Sequence, residues 1–159
     1  MNASSTTAPA ADTGRRKLLL TGAALGSLVL VRSARAAPDD LAGAIAAFTG
    51  GAQATPGRVR LGVETLIDNG NTVPVTVSVD SPMSEADHVS AIAIFNERNP
   101  ERDVARFSLS PRCGRASVAT RIRLATSQKI VAIARLSDGS HWSHTVEVIV
   151  TLAACIEES

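Results

Sequence analysis

Residues 72–80 read TVPVTVSVD. Val73, Val75, Val77 and Val79 take alternate positions, with Thr72, Thr76, Ser78 and Asp80 among those between. A period of two marks a strand with one apolar and one solvated face. Pro74 has no amide hydrogen to give a neighbour, so the strand is expected to meet an exposed edge or an irregular start there.

The same grammar runs downstream. Residues 87–96, DHVSAIAIFN, are apolar on both faces and read as a central strand. Residues 104–110, VARFSLS, set Ala105, Phe107 and Leu109 on one side. Residues 115–124, RASVATRIRL, oppose Val118, Thr120, Ile122 and Leu124 to Ser117, Ala119, Arg121 and Arg123. Residues 129–136, KIVAIARL, form a second buried strand, and Ser137-Asp138-Gly139-Ser140 marks a tight turn. Residues 141–152, HWSHTVEVIVTL, form the last strand, with Trp142, Val146, Val148, Val150 and Leu152 expected inward.

Upstream, residues 59–67, VRLGVETLI, read either as a strand or as a mixed segment before the DNGN turn at 68–71. Before them, PDDLAGAIAAF at 38–48 changes period. Leu41, Ile45 and Phe48 form one helical stripe, Pro38 and two aspartates suit its first turn, and Gly50-Gly51 ends it. Six or seven strands with turns between them and one short N-terminal helix predict an all-β chain: an immunoglobulin-like antiparallel β-sandwich.

The first residues belong to a different kind of segment. Arg15, Arg16 and Lys17 precede an apolar stretch at 18–31, and Ala34-Arg35-Ala36 has the small-x-small form of a cleavage site. This is the pattern of an export signal over residues 1–36, with a twin-arginine character. The expected location is the periplasm, without membrane insertion after signal removal. Residues 37–159 then carry 11 Lys and Arg against 14 Asp and Glu, a net charge of −3, where the full chain has +1. No basic surface follows, and nucleic acid is not an expected partner.

The chain carries no phosphate loop, no nucleophile elbow and no CxxC pair. His141 and His144 lie three apart on a strand and so point to opposite faces, while His88 sits at a turn. No metal site and no cofactor are expected. Arg121 and Arg123 read as a solvated sheet face. Two cysteines are too few for a disulfide scaffold. Cys113 lies in a loop, SPRCGRA, and Cys155 in the tail, AACIEES. A tail cysteine can be a core residue, half of a disulfide with Cys113, or a thiol held out for chemistry.

Residues 68–111, DNGNTVPVTVSVDSPMSEADHVSAIAIFNERNPERDVARFSLSP, resemble SoxY, the sulfur-carrier subunit of the bacterial thiosulfate-oxidising system. The points of likeness are Asn69-Gly70, Val73-Pro74-Val75, Ser81-Pro82-Met83, residues 92–95, Asn99-Pro100, the 115–124 strand, Asp138-Gly139-Ser140 and the cysteine near the end. The resemblance spans about 41–155. It implies a non-enzymatic carrier in which Cys155 holds the sulfur substrate covalently. It also implies a heterodimer with a SoxZ-like β-sandwich subunit. The implied clients are periplasmic sulfur-oxidation enzymes, among them a c-type cytochrome that loads the thiol.

On this reading residues 37–57 are helix and linker, 58–152 the sandwich and 153–159 the carrier arm. The alternative is an exported immunoglobulin-like binding or assembly module with a structural or vestigial cysteine. The arm departs from the family's Gly-Gly-Cys-Gly-Gly. Ala153-Ala154 and Ile156-Glu157 flank the cysteine here, and only Cys155 matches. Glu157 and Glu158 should favour the thiol over the thiolate and repel an anionic substrate.

Overall fold

A computed structural model of the chain describes residues 40–154. The expected export signal at 1–36 and Cys155, the expected carrier residue, lie outside the described residues.

Among the described residues, one α-helix, α1 (Asp40–Thr49), precedes nine strands. These are β1 (Thr55–Pro56), β2 (Val59–Gly62), β3 (Leu66–Ile67), β4 (Val73–Val79), β5 (Val89–Asn96), β6 (Asp103–Ser108), β7 (Ser117–Ile122), β8 (Gln128–Leu136) and β9 (His141–Val150). They form two sheets. The larger runs β1-β9-β8-β5-β6, with β3 also paired to β9, and the smaller runs β2-β4-β7.

The alternation in residues 72–80 is realised residue by residue. Val73, Val75, Val77 and Val79 are buried while Pro74, Thr76 and Ser78 are exposed. The β7 alternation holds as well, with Ile122 and Leu124 buried and Arg121 and Arg123 exposed. The valines of β4 meet Val89, Ile92, Ile94, Ile130, Ala132 and Val148 of the larger sheet in one core, which makes the fold a sandwich. Pro74 opposes Arg121 of β7, but β2 joins β4 only from Thr76 onward, so the proline borders an open stretch of edge.

β5 and β8 are buried on both faces because α1 covers the outer side of the large sheet. Ala91, Ala93, Phe95, Val131 and Ile133 pack there against Phe48, with Leu41 and Ile45 beside them. A bulge between Val89 and Ala91 shifts the β5–β8 register, which is how Val89 and Ile92 both face the inner core while Ala91 faces the helix. The helix stops where Gly50 and Gly51 take φ of 67° and 84°, a conformation that costs glycine little, and Gly51 N–H returns to Ala46 O at 3.0 Å.

The fold is the expected all-β sandwich with a short helix, its ladders antiparallel except where the two-residue β1 and β3 each pair with β9 in parallel. Two expectations need correction. The strand count exceeds the expected six or seven, since residues 59–67 divide into β2 in one sheet and β3 in the other, and β1 precedes them at Thr55–Pro56. Leu152 does not face inward: it lies past the end of β9 and is 60% exposed.

Candidate functional site: the root of the C-terminal segment

The end of β9 is secured from one side by the 65–70 segment. Ile149 N–H donates to Thr65 O at 2.8 Å and Thr151 N–H to Ile67 O at 2.9 Å. The Thr151 hydroxyl adds a bond to Asp68 O at 3.0 Å. The chain then crosses the sandwich end between two loops. Gly70 N–H donates to Leu152 O at 2.8 Å, Leu124 N–H to Gly70 O at 2.8 Å, and Ala154 N–H to Leu124 O at 3.1 Å.

Only glycine fits at the centre of this arrangement. A Cβ at position 70 would collide with the Leu124 carbonyl oxygen, and would stand 3.0 Å from Ala154 N and 3.1 Å from Val150 Cγ1. The turn that presents Gly70 is shaped by its neighbours, because Asn69 Oδ1 accepts from Asn71 N at 2.9 Å and from Asn71 Nδ2 at 3.0 Å.

The second loop is positioned by Asn99. Its Nδ2 donates to Arg123 O at 2.8 Å, while its Oδ1 accepts from Ala125 N at 3.0 Å and Gln128 Nε2 at 2.8 Å. Arg102 Nη1 donates to Asn99 O. Ser127 Oγ accepts from Val150 N at 2.9 Å and ties this loop to β9.

Ala154 is thereby buried to 7% exposure, and Cys155 is the next residue in the chain. From the sequence, a carrier arm is expected to begin at residue 153. In the structure Ala153 is exposed but Ala154 is bonded to the sandwich. Beside the Gly70 turn lies a cavity of about 260 Å³, lined by Glu64, Ile67, Asp68, Asn69, Thr72, Val73 and Pro74.

Cys113 is brought nowhere near this end. It is an exposed free thiol in a 3-10 turn (Pro111–Cys113), ahead of β7, whereas Leu124 follows β7. The six-residue strand separates them by roughly 17 Å or more at the usual rise per residue. The histidines also stand apart. His88 Nδ1 lies 3.2 Å from Ser84 O, His144 Nδ1 accepts from Leu61 N at 3.0 Å, and His141 is buried against Phe48. Among the described residues no group of three His, Cys, Asp or Glu side chains is placed to hold a metal ion, and no helix is long and apolar enough to cross a membrane.

Asn69-Gly70 and Asn99-Pro100 stand out in the sequence as points of likeness, but neither has a role there. Asn-Gly signals a turn. Nothing in the sequence says that this turn closes on residues 124 and 154.

No curated relative matches the chain. Among solved structures, the sulfur carrier protein SoxY from Chlorobium limicola f thiosulfatophilum is similar at 29% identity and a TM-score of 0.60, over 70% of this chain and 96% of that one. A superoxide reductase (neelaredoxin) from Ignicoccus hospitalis is similar at 19% identity and a TM-score of 0.53, over 59% of this chain and 80% of that one. A likeness at that identity shows a shared fold and nothing more. The family model described as sulfur oxidation protein SoxY matches residues 45–155, from the middle of α1 through the residue after Ala154, and on that match the chain belongs to the SoxY family.

Proposed function

We propose that the protein is a non-enzymatic sulfur carrier of a thiosulfate-oxidising system, exported to the periplasm, with Cys155 as the residue that bears the sulfur. The observation that carries this reading is the family match ending at residue 155, one residue past the hydrogen-bonded root at Ala154. A carried group must be offered to several enzymes in turn while the sandwich stays rigid. A thiol on the far side of a fixed root meets that need, and one within the core does not.

The chemistry asked of the thiol is simple. The Cys155 thiolate and the outer sulfur of thiosulfate form an S–S bond, and two electrons leave to a c-type haem enzyme that docks at this end. Later partners hydrolyse and oxidise the bound group. Nothing in this scheme asks the carrier for a base, a metal or a cofactor.

The expected partner subunit is a SoxZ-like sandwich. Leu66, Ile149 and Leu152 are 57%, 59% and 60% exposed, and Leu66 and Ile149 are register partners across β3 and β9. This apolar patch flanks the arm root and suits a protein partner better than water.

Intact mass after incubation with thiosulfate and the loading enzyme tests the reading. Wild type and Cys113→Ser gain a reductant-labile adduct, while Cys155→Ser gains none and keeps its thermal stability. An adduct on Cys155→Ser, or none on wild type, hands the protein to the alternative of an immunoglobulin-like binding module.

A further inference from the structure

The bonds at the sandwich end have a geometry that bears on reach. Two of them, Gly70 N–H to Leu152 O and Ala154 N–H to Leu124 O, hold residues 152–154 down. With both made, the Cys155 Cα is one step, about 3.8 Å, from a fixed and buried Ala154. With both broken, the next fixed point is Thr151, held by Ile67 O at 2.9 Å and Asp68 O at 3.0 Å. Cys155 then swings on four residues, a reach of about 14 Å.

Opening uncovers the Ala154 methyl and little else of the core. Leu152 and Ala153 are already exposed, and Leu124, at 0% exposure, keeps its own bond to Gly70 O. Closing asks for a residue without Cβ at position 70. The geometry points to a backbone latch at Gly70 that sets the reach of Cys155: closed, it serves only partners whose reacting atom lies near their surface, and open, it serves partners with a recessed site. Gly70 is thus a positioning residue for the thiol, and this role deepens the carrier reading on which it rests.

The test uses the full chain with Cys113→Ser, alone and with Gly70→Ala or Ala154→Pro. The first change displaces Leu124 O, the acceptor of the Ala154 bond, and crowds Ala154 N, while the second removes the Ala154 donor. Backbone amide exchange reads the latch directly. In wild type the Ala154 amide is protected, and in Gly70→Ala it exchanges at least about tenfold faster while Val148 is unchanged.

Reach is read as a ratio of alkylation rates at Cys155, with a maleimide fixed to a bulky folded protein over free iodoacetamide, so that effects on thiol acidity largely cancel. Both variants raise this ratio about threefold or more, as expected for a longer free segment. An unprotected Ala154 amide in wild type, or an unchanged ratio in both variants, overturns the latch. If the latch opens as described but no form of the protein takes up sulfur from thiosulfate, the latch stands and the carrier reading is what fails.

Discussion

Phe48 of α1 meets His141 of β9 edge to face, with ring centroids 6.1 Å apart and planes at 78°. His141 is 7% exposed, and neither ring nitrogen has a hydrogen-bond partner among the described residues. Arg135 lies directly across from it in the β8–β9 register. The guanidinium groups of Arg106 and Arg135 stand 5.5 and 5.8 Å from the Phe48 ring centroid, and Arg106 is paired with Asp103. A proton on His141 would be a buried, unpaired charge beneath a ring already carrying two cations. Burial first, and the Arg135 charge second, hold its pKa below the ordinary histidine value.

These shifts set the sign of the pH effect. The unfolded chain takes up a proton on residue 141 near pH 6.5, while the folded chain resists it. The unfolded state therefore binds more protons below that pH. The stabilisation is complete above pH 6.5 and is lost as pH falls through the lower folded value. Denaturant midpoints measured from pH 8 downward should decline below about 6.5 in wild type and much less in His141→Phe. Asp138, whose carboxyl is lowered chiefly by its bond with Ser140, acts only as pH approaches its own range below 3.8. Identical profiles for wild type and His141→Phe would remove His141 as the cause.

Asn99 joins the β5–β6 loop to the 123–128 segment by three side-chain bonds. Asn99→Ala deletes them all, leaving Arg123 O and Ala125 N to find water. Gln128, 3% exposed, keeps its bonds to Thr126 O and Arg98 N. The expected loss is about 1–3 kcal/mol in equilibrium denaturation. Asn99→Asp keeps the two acceptor roles of Oδ1 but sets a carboxylate oxygen against Arg123 O, so it should lose stability as well. Unchanged stability in both variants would mean that the network is not what holds this loop.

Much of this architecture is legible from the chain. β4 and β7 show because each has one dry and one wet face, so period two survives in their sequences. The helix stripe Leu41, Ile45 and Phe48 shows for the same reason, and Phe48 is buried as it implies. β1 and β3 do not show. Each is two residues long, and its pairing is dictated by β9, far away in sequence. The β5 bulge is hidden because both faces of that strand are apolar, so a parity switch leaves no mark. Leu152 misled because the alternation of β9 runs on for two residues after its ladder has ended. Cys155 stands out as a tail cysteine, but only the likeness to SoxY suggests what it carries. Gly70 looks like an ordinary turn residue, because a missing Cβ says nothing about which oxygen it makes room for.

The Leu66–Ile149 patch carries the next prediction. Ile149 is 59% exposed on the outer side of β9, so Ile149→Glu should change the stability of the isolated chain by no more than about 0.5 kcal/mol. Affinity for a SoxZ-like subunit should fall tenfold or more, which is about 1.4 kcal/mol. Titration calorimetry with the two purified subunits reads both the affinity and the heat-capacity change of apolar burial. An unchanged affinity would place the subunit interface elsewhere on the sandwich.

The last prediction concerns the residues after the thiol. While Ala154 is bonded to Leu124 O, local freedom for Cys155 comes from its C-terminal neighbours. Ile156 is β-branched and stiff, and Glu157 places a negative charge two residues from the sulfur. Both oppose the approach of an anionic substrate into an enclosed site. Replacing Ile156-Glu157 by Gly-Gly should therefore speed adduct formation severalfold, followed as intact mass against time with thiosulfate and the loading enzyme. Single changes separate the two causes. The gain from Glu157→Gln is electrostatic and should shrink as salt shortens the screening length, about 10 Å at 0.1 M ionic strength. The gain from Ile156→Gly is steric and should persist at all salt concentrations. A double variant that loads no faster than wild type would mean that the flanking residues do not limit loading, and that the root at Gly70 and Leu124 is the barrier instead.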